Sequence, residues 1–381
     1  MALGTTGVAP VFSLELASEP VPLAAVQRVV SPEVHSRLDG EGAELARRFA
    51  PVLVQDTAPE HPERDRPLRV DFDGDWDAEN NWSHLRADDV RREPAVYASW
   101  ILSETHAYLT YTLFYPRDWI PVVCVPYLCH DNDLESMLVV VERGTASAPT
   151  ALVLVETKFH ARFVAVRGGE LWRGASGQPF VTVESEGHGM LPARPGDPLG
   201  DHPVHFVERS APAAAPDAQR YDLLPLRQSL WARRAPAAHA RLWTPGEGGF
   251  LSYSGARLGP IGRPLGAAMA GREYAGGVRP PWAIGAEGPR GDWFLDPAFG
   301  TLARHGAWFG SAASSVYVLN TYVDDLAREC VGPACSQARE ESEAAVLSPG
   351  GLLAGLGLLL LRVGRRPLGG SPKAGARPPA R

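Results

Sequence analysis

Between residues 95 and 186, apolar side chains come in short runs separated by Gly, Pro or acidic residues. The runs "AVYASWIL", "HAYLTYTLFY", "ESMLVVVE", "TALVLVE", "FHARFVAV" and "PFVTVES" are rich in β-branched and aromatic residues. Short turn-bounded runs of this kind predict strands of an all-β sandwich. No regular alternation of strand and helix is present that would make a parallel α/β sheet. Upstream, "GAELARRFAPVLVQ" has a helical period that runs into a strand, whereas residues 1–40 show little periodicity. Downstream, "SAPAAAPDAQ" (210–219) reads as a surface loop and "RYDLLPLRQSLWARR" as a helix inside the domain. After a Gly/Pro-rich stretch, "SSVYVLNTYV" reads as the last strand. The pattern predicts an all-β dominated fold, an antiparallel β-sandwich of jelly-roll type with helical and loop insertions.

The same pattern divides the chain into an N-terminal segment 1–44, partly irregular, and a sandwich domain 45–335. A polar linker helix 336–343, an apolar segment 344–366 with an Arg cluster, and a basic tail 367–381 without a folding pattern complete it. The stretch "AAVLSPGGLLAGLGLLLL" (344–361) is uncharged and is followed by Arg362, Arg365 and Arg366. That is the order of a membrane anchor with basic residues on the cytoplasmic side. It also resembles the C-terminal sorting tails of exported Gram-negative proteins. The other reading is a Gly-rich apolar tail packed on the domain or left unstructured, with Pro349 weakening any helix. The start, "MALGTTGVAPVFSLELASEP", has neither the basic region nor the apolar core of a signal peptide. The tail therefore predicts an exported or membrane-anchored protein and the start a cytoplasmic one; both readings stand.

Composition narrows the function classes. With 381 residues, 45% hydrophobic and 21% charged, the chain can bury a substantial core. Its net charge of -7, and basic residues that are almost all Arg with only Lys158 and Lys373 as lysines, argue against a nucleic-acid partner. There are only four asparagines: Asn80, Asn81, Asn132 and Asn320. In a chain drawn so far towards Arg, Ala, Gly and Pro, a type this rare marks positions that need it. The cysteines form two local pairs, Cys124 with Cys129 ("CVPYLC") and Cys330 with Cys335 ("CVGPAC"). Local pairs predict disulfides and an oxidising compartment; free buried thiols are an alternative, as is a four-cysteine zinc site, although zinc usually takes tighter spacing.

The richest chemistry lies in "FYPRDWIPVVCVPYLCHDNDLESMLVVV" (114–141). Asp133 and Glu135, two apart at the mouth of a strand, share a face, and His130 can fold back through the turn. Asp118 closes the preceding strand, so antiparallel pairing brings it to the same end of the sheet. Oxygen ligands with one imidazole suit a hard divalent cation, Mg²⁺ or Ca²⁺. The same residues would also make an acidic hairpin loop with Asx-turns.

"FYPRDW" followed by H-x-x-D-x-E resembles the necrosis-inducing-like proteins and their relatives, the vacuolar protein sorting-associated protein 62 family. The resemblance spans roughly residues 45–300 and implies Asp118, His130, Asp133 and Glu135 as metal ligands. "ESEGHGMLP" looks like a downstream stretch of the relatives, which adds His188 as a weak catalytic candidate. Cys129 stands where the motif has Gly, Asn132 where it has a second His and Leu134 where it has Trp. These departures leave toxin activity outside the resemblance. It implies a cation-binding module that recognises a polar surface ligand, a glycan or a lipid headgroup; the apolar tail, outside the resemblance, is a separate route to the membrane.

Two rival readings use the same residues. One is a metal-dependent hydrolase of a phosphoester or glycosidic bond with His188 as acid. The other is a structural surface domain whose cation only stabilises loops. The sequence has no H-E-x-x-H, no G-x-S-x-G and no phosphate-loop lysine, so no established enzyme signature favours catalysis. A second acidic stretch, "DFDGDWDAENNW", alternates Asp71, Asp73, Asp75, Asp77 and Glu79 like the start of a calcium loop. Trp76 stands where the sharp turn needs Gly and Trp82 where a bidentate Glu is needed, which leaves a solvated turn as the other reading. His160, with Lys158 and Arg162, reads as the polar outer face of a strand.

Overall fold

The computed structural model describes residues 27–74, 81–85, 92–118, 130–145, 148–159, 162–233, 281, 293–294, 296–309, 314 and 316–329. All of these fall within the compact unit Met1–Cys330. The four cysteines, the linker helix, the apolar segment and the basic tail lie outside the described residues.

The helix read at "GAELARR" begins earlier, as α1 Pro32–Arg48. Ser31 caps it, accepting from Val34 N; Pro32 sits in the first turn, Glu33 follows it, and Arg47 and Arg48 close the last turn. Capping oxygen, early acid and late base all favour the helix dipole. Leu38, Leu45 and Ala46 are buried on its inner face. Gly42 lies against the Trp100 ring, where any Cβ would collide, while Trp100 Nε1 donates to Asp39 at 2.7 Å. The small residue lets the helix press onto the sheet.

Strands follow as β1 Val52–Asp56, β2 Ala95–Ser103, β3 His106–Asp118, β4 His130–Glu142, β5 Ala151–Phe159 and β6 Arg162–Arg167. Then come β7 Phe180–Val183, β8 Met190–Pro192, β9 Pro203–Glu208, β10 Gln219–Pro225 and β11 Tyr317–Leu319. A four-residue helix, α2 Asn81–His84, precedes β2; α3 Pro297–His305 and α4 Thr321–Glu329 flank β11. The strand order is β6-β5-β4-β3-β2-β10-β9-β1-β7-β8, with β11 added against β2.

The fold is mostly β, as the pattern predicts, and the sheet is nearly closed on itself. β8 returns to pack against β5 and β6, and Thr157 Oγ1 donates to Met190 O at 2.7 Å. The pairing is mixed: β1 with β7, β10 with β2 and β10 with β9 run parallel, while the consecutive strands β2 to β6 are antiparallel. Hairpins impose antiparallel pairing, and strands that arrive by long connections are free of that constraint.

Side chains on β2, β3 and β4 are buried on both faces, which explains why these strands read as near-continuous apolar runs. Ala98, Leu109, Leu113, Met137 and Val139 face the interior of the folded sheet together with α1. Tyr97, Tyr108, Phe114, Leu138 and Val140 face outwards, where Trp231, Trp293, Phe294, Ala298 and Tyr322 cover them. Two predicted elements differ. "RYDLLP" belongs to strand β10, held between β2 and β9, because sheet partners on both sides outweigh its helical pattern; a 3₁₀ turn, Trp231–Arg233, follows among the described residues. The last strand stops at Leu319, and "TYV" opens α4, where Asn320 Oδ1 accepts from Val323 N at 3.3 Å.

Candidate functional site

The long hairpin β3–β4 carries the acidic motif at its open end. Its register places Asp118 opposite His130, Arg117 opposite Asp131, Tyr115 opposite Asp133 and Leu113 opposite Glu135. The expected antiparallel arrival of Asp118 beside the motif is therefore what the hairpin does. His130 is the first residue of β4.

Asn132 interrupts the regular pleat with φ of 62°, the left-handed region that Asn tolerates better than most residues. Its side chain is fully buried, and its Oδ1 accepts from Asn81 Nδ2 of α2 at 2.6 Å. Two of the four asparagines thus meet each other beside the motif.

Asp133, 5% exposed, faces inwards, and its Oδ2 lies 3.0 Å from His188 Nδ1. His188 is 0% exposed and comes from the β7–β8 connection, where Glu186 and His188 both have positive φ. Gly189 allows that tight path: a Cβ there would stand 2.5 Å from Glu184 Oε2 and 2.9 Å from the Phe159 ring. The imidazole lies flat on the Tyr115 ring, with centroids 3.7 Å apart and planes 2° from parallel. Its other nitrogen, Nε2, is 3.3 Å from Asp65 Oδ1. Burial alone would lower the His188 pKa, but the hydrogen bonds and charges of Asp133 and Asp65 outweigh it and hold the ring at about 9. The ring is thus an imidazolium at neutral pH, hydrogen-bonded through Nδ1 to Asp133, while Nε2 stands in ion-pair range of Asp65 without a geometrically formed hydrogen bond.

Glu135 is partly buried, and its carboxyl is pushed well above the usual range by burial first, then by the charges of Asp133 and Asp118 and, more weakly, Glu184. Lys158 opposes the shift. The structure therefore brings Asp118, Asp133, Glu135 and Glu184 into one electrostatic neighbourhood, with one of the chain's two lysines among them. Among the described residues, no three His, Cys, Asp or Glu side chains are gathered as a metal-holding group. The donor chemistry nevertheless suits a hard cation, being carboxylate oxygens crowded in a partly buried place.

His188, the catalytic candidate, is sealed beneath Tyr115 and bonded to Asp133, where it meets carboxylates of the protein and no solvent. The other candidates stand apart from this group. Asp71 accepts from Arg69 at 2.9 and 3.0 Å, and Asp73 lies 2.8 Å from His84 Nδ1, so both described carboxylates of the second acidic stretch have basic partners just outside it. Asp75, Asp77, Glu79, His160 and the four cysteines lie outside the described residues. Lys158 and Arg162 belong to two strands of a hairpin, not to one strand face. Sequence reasoning missed Asp65 and Glu184, which reach the site from distant segments and carry no spacing signal, and passed over Tyr115 within the motif itself, opposite Asp133.

No family model and no curated protein matches the chain. It is similar to a few solved structures. A mutant of NLPPya shares 17% identity over 49% of this chain and 73% of its own, with a TM-score of 0.31. NLPPya in complex with glucosamine shares 18% over 40% and 66%, with a TM-score of 0.27. Necrosis and Ethylene inducing Protein 2 from the causal agent of cocoa's Witches Broom disease shares 13% over 47% and 74%, with a TM-score of 0.25. Likenesses with TM-scores this low carry no argument about activity.

Proposed function

We propose that the chain is a divalent-cation-binding β-sandwich protein that uses Mg²⁺ or Ca²⁺ at the β3–β4 end to recognise a polar ligand, a glycan or a lipid headgroup. The observation that carries this reading is the gathering of Asp118, Asp133 and Glu135 at one end of the β3–β4 hairpin, where burial first, and then the charges of Asp133 and Asp118, hold the Glu135 carboxyl well above its ordinary range. A divalent cation relieves that repulsion, and hard cations select carboxylate oxygen. Asp118 and Glu135 would supply oxygen ligands, His130 a nitrogen, and Asp133 the carboxylate oxygen turned away from His188. The ion would draw these side chains together. The ligand class comes from the family resemblance of the motif, and a burial that keeps His188 from meeting a substrate favours binding over hydrolysis. The same reading takes Cys124 with Cys129, and Cys330 with Cys335, as disulfides and residues 344–361 as the anchor, with the cation site outside the cytoplasm.

Glu135→Gln tests the cation. The neutral amide removes the repulsion with little change of shape, so the metal-free protein should be no less stable than the wild type. Its Mg²⁺ or Ca²⁺ affinity should fall by more than the roughly 10- to 100-fold that outer-shell changes cost. Calorimetric titration of the full chain checks both cations, and glucosamine is the first sugar to titrate into the loaded protein. A wild type that takes up neither ion, or a variant that binds as tightly as the wild type, would sink the assignment.

A further inference from the structure

Three ionisable side chains, Asp65, His188 and Asp133, form a buried row, and a buried ionic row is costly unless every partner is well placed. Asp65, 0% exposed, is held from two directions: its Oδ2 accepts from Ala58 N at 2.6 Å and its Oδ1 from Glu186 N at 2.7 Å. One donor precedes Asp65 in its own loop and the other belongs to the segment that carries His188. Asp65 therefore ties its own loop to the segment that carries His188 and sets a carboxylate 3.3 Å from the ring's far nitrogen. The ring's plane is set by Tyr115, whose hydroxyl donates to Gln55 Oε1 at 2.8 Å. Gln55 in turn donates to Glu184 O and Asp56 O, both at 2.9 Å. Tyr115 is also the cross-strand partner of Asp133. The imidazole is thus placed by Tyr115 on its face and Asp65 beside Nε2, and the one hydrogen bond it makes goes to Asp133 Oδ2.

We infer that Asp65 and His188 are positioning residues for the cation site, holding one oxygen of Asp133 so that its carboxylate is already aimed when Mg²⁺ or Ca²⁺ arrives. The inference rests on the cation reading proposed above. Carboxylates that ligate metals are themselves held by hydrogen bonds, and loss of such a partner costs about 10- to 100-fold in metal affinity. Asp65 never touches the ion; it acts through His188.

The test titrates Mg²⁺ and Ca²⁺ separately into the full-length wild type, Asp65→Asn and His188→Gln, with circular dichroism to confirm folding. The ¹⁵N resonances of the wild-type histidine rings are followed through the same titration. Wild-type binding, an affinity loss of about tenfold or more in each folded variant, and His188 ring signals that move with the calorimetric midpoint are expected. A merely structural pair would leave the ring signals unmoved. Folded variants that bind as the wild type does overturn the inference and leave the cation reading standing. If the variants do not fold, the wild-type ring signals decide: unmoved at saturating metal, they overturn it. A wild type that binds neither ion removes the cation reading and the inference together.

Discussion

At the scale of single residues, rarity was a usable signal. Asn132 sits where φ is positive and its oxygen meets Asn81, while Asn320 caps α4 and donates from Nδ2 to Phe294 O at 3.2 Å. Each does something that Ala, Gly or Arg does badly, which is why it persists in a chain poor in Asn. The positive φ and the buried hydrogen bond at Asn132 can be separated. Asn132→Gly keeps the backbone freedom and loses the acceptor for Asn81, at about 1–3 kcal/mol. Asn132→Ala loses both and should be worse by a further 1–2 kcal/mol or so. Urea unfolding of the two variants checks the order, and an alanine variant as stable as the glycine one refutes the strain argument. Asp65 shows the opposite case. Its partners are Ala58, Glu186 and His188, and nothing in the spacing of "PERDRP" announces that an aspartate there will meet a histidine more than a hundred positions on.

At the scale of elements, what is local was legible and what is distant was not. The β3–β4 hairpin could be read because its two runs are adjacent, apolar and long, and the face shared by Asp133 and Glu135 follows from strand geometry alone. β10 could not: its neighbours are β2 and β9, and only their company makes a strand of a segment with a helical pattern. α3 is likewise placed by a partner far away. Glu156 of β5, fully buried, accepts from Arg304 Nε at 2.8 Å and Nη2 at 2.5 Å, from Trp293 Nε1 at 3.1 Å, and meets His305 Nε2 at 2.7 Å. Burial alone would raise the Glu156 carboxyl, but the hydrogen bonds from His305 and Arg304 and their charges outweigh it and hold it below its ordinary value. A depressed carboxylate contributes stability that is fully present above the unfolded value and is lost as pH falls through the folded one. Glu156→Gln should therefore destabilise the protein at neutral pH by about 3 kcal/mol, since it strands a buried guanidinium. The gap between variant and wild type should narrow as pH drops below the ordinary glutamate value. Urea unfolding across that range measures it, and a gap that stays constant would mean that the charge of Glu156 contributes nothing.

At the scale of the molecule, the sheet class was legible from its turn-bounded runs, whereas its closure was not, because β8 at one end of the sheet meets β5 and β6 at the other, a contact that no local pattern encodes. The described fold runs from the Gln27 bridge to the end of α4, and among the described residues no helix is long and apolar enough to cross a membrane. A membrane-crossing helix would have to come from outside them, and the apolar segment 344–361 is the part of the sequence with the composition for it. As a helix it would measure about 27 Å, from about 18 residues at roughly 1.5 Å each, just short of a hydrocarbon core of about 30 Å. Its glycines lower helix propensity, so it fits a thin bilayer best. Arg362, Arg365 and Arg366 would hold its far end in the cytoplasm and leave Asp118, His130, Asp133 and Glu135 on the opposite side of the inner membrane. The full chain should then sediment with membranes, a cut after residue 343 should release the domain, and protease added to spheroplasts should reach it. A full-length chain that stays in the high-speed supernatant, or a domain protected in intact spheroplasts, would refute the anchor and move the carboxylate cluster into the cytoplasm. There Mg²⁺ is the abundant ion and Ca²⁺ is scarce, so affinity for Ca²⁺ alone would argue against that location even before any fractionation.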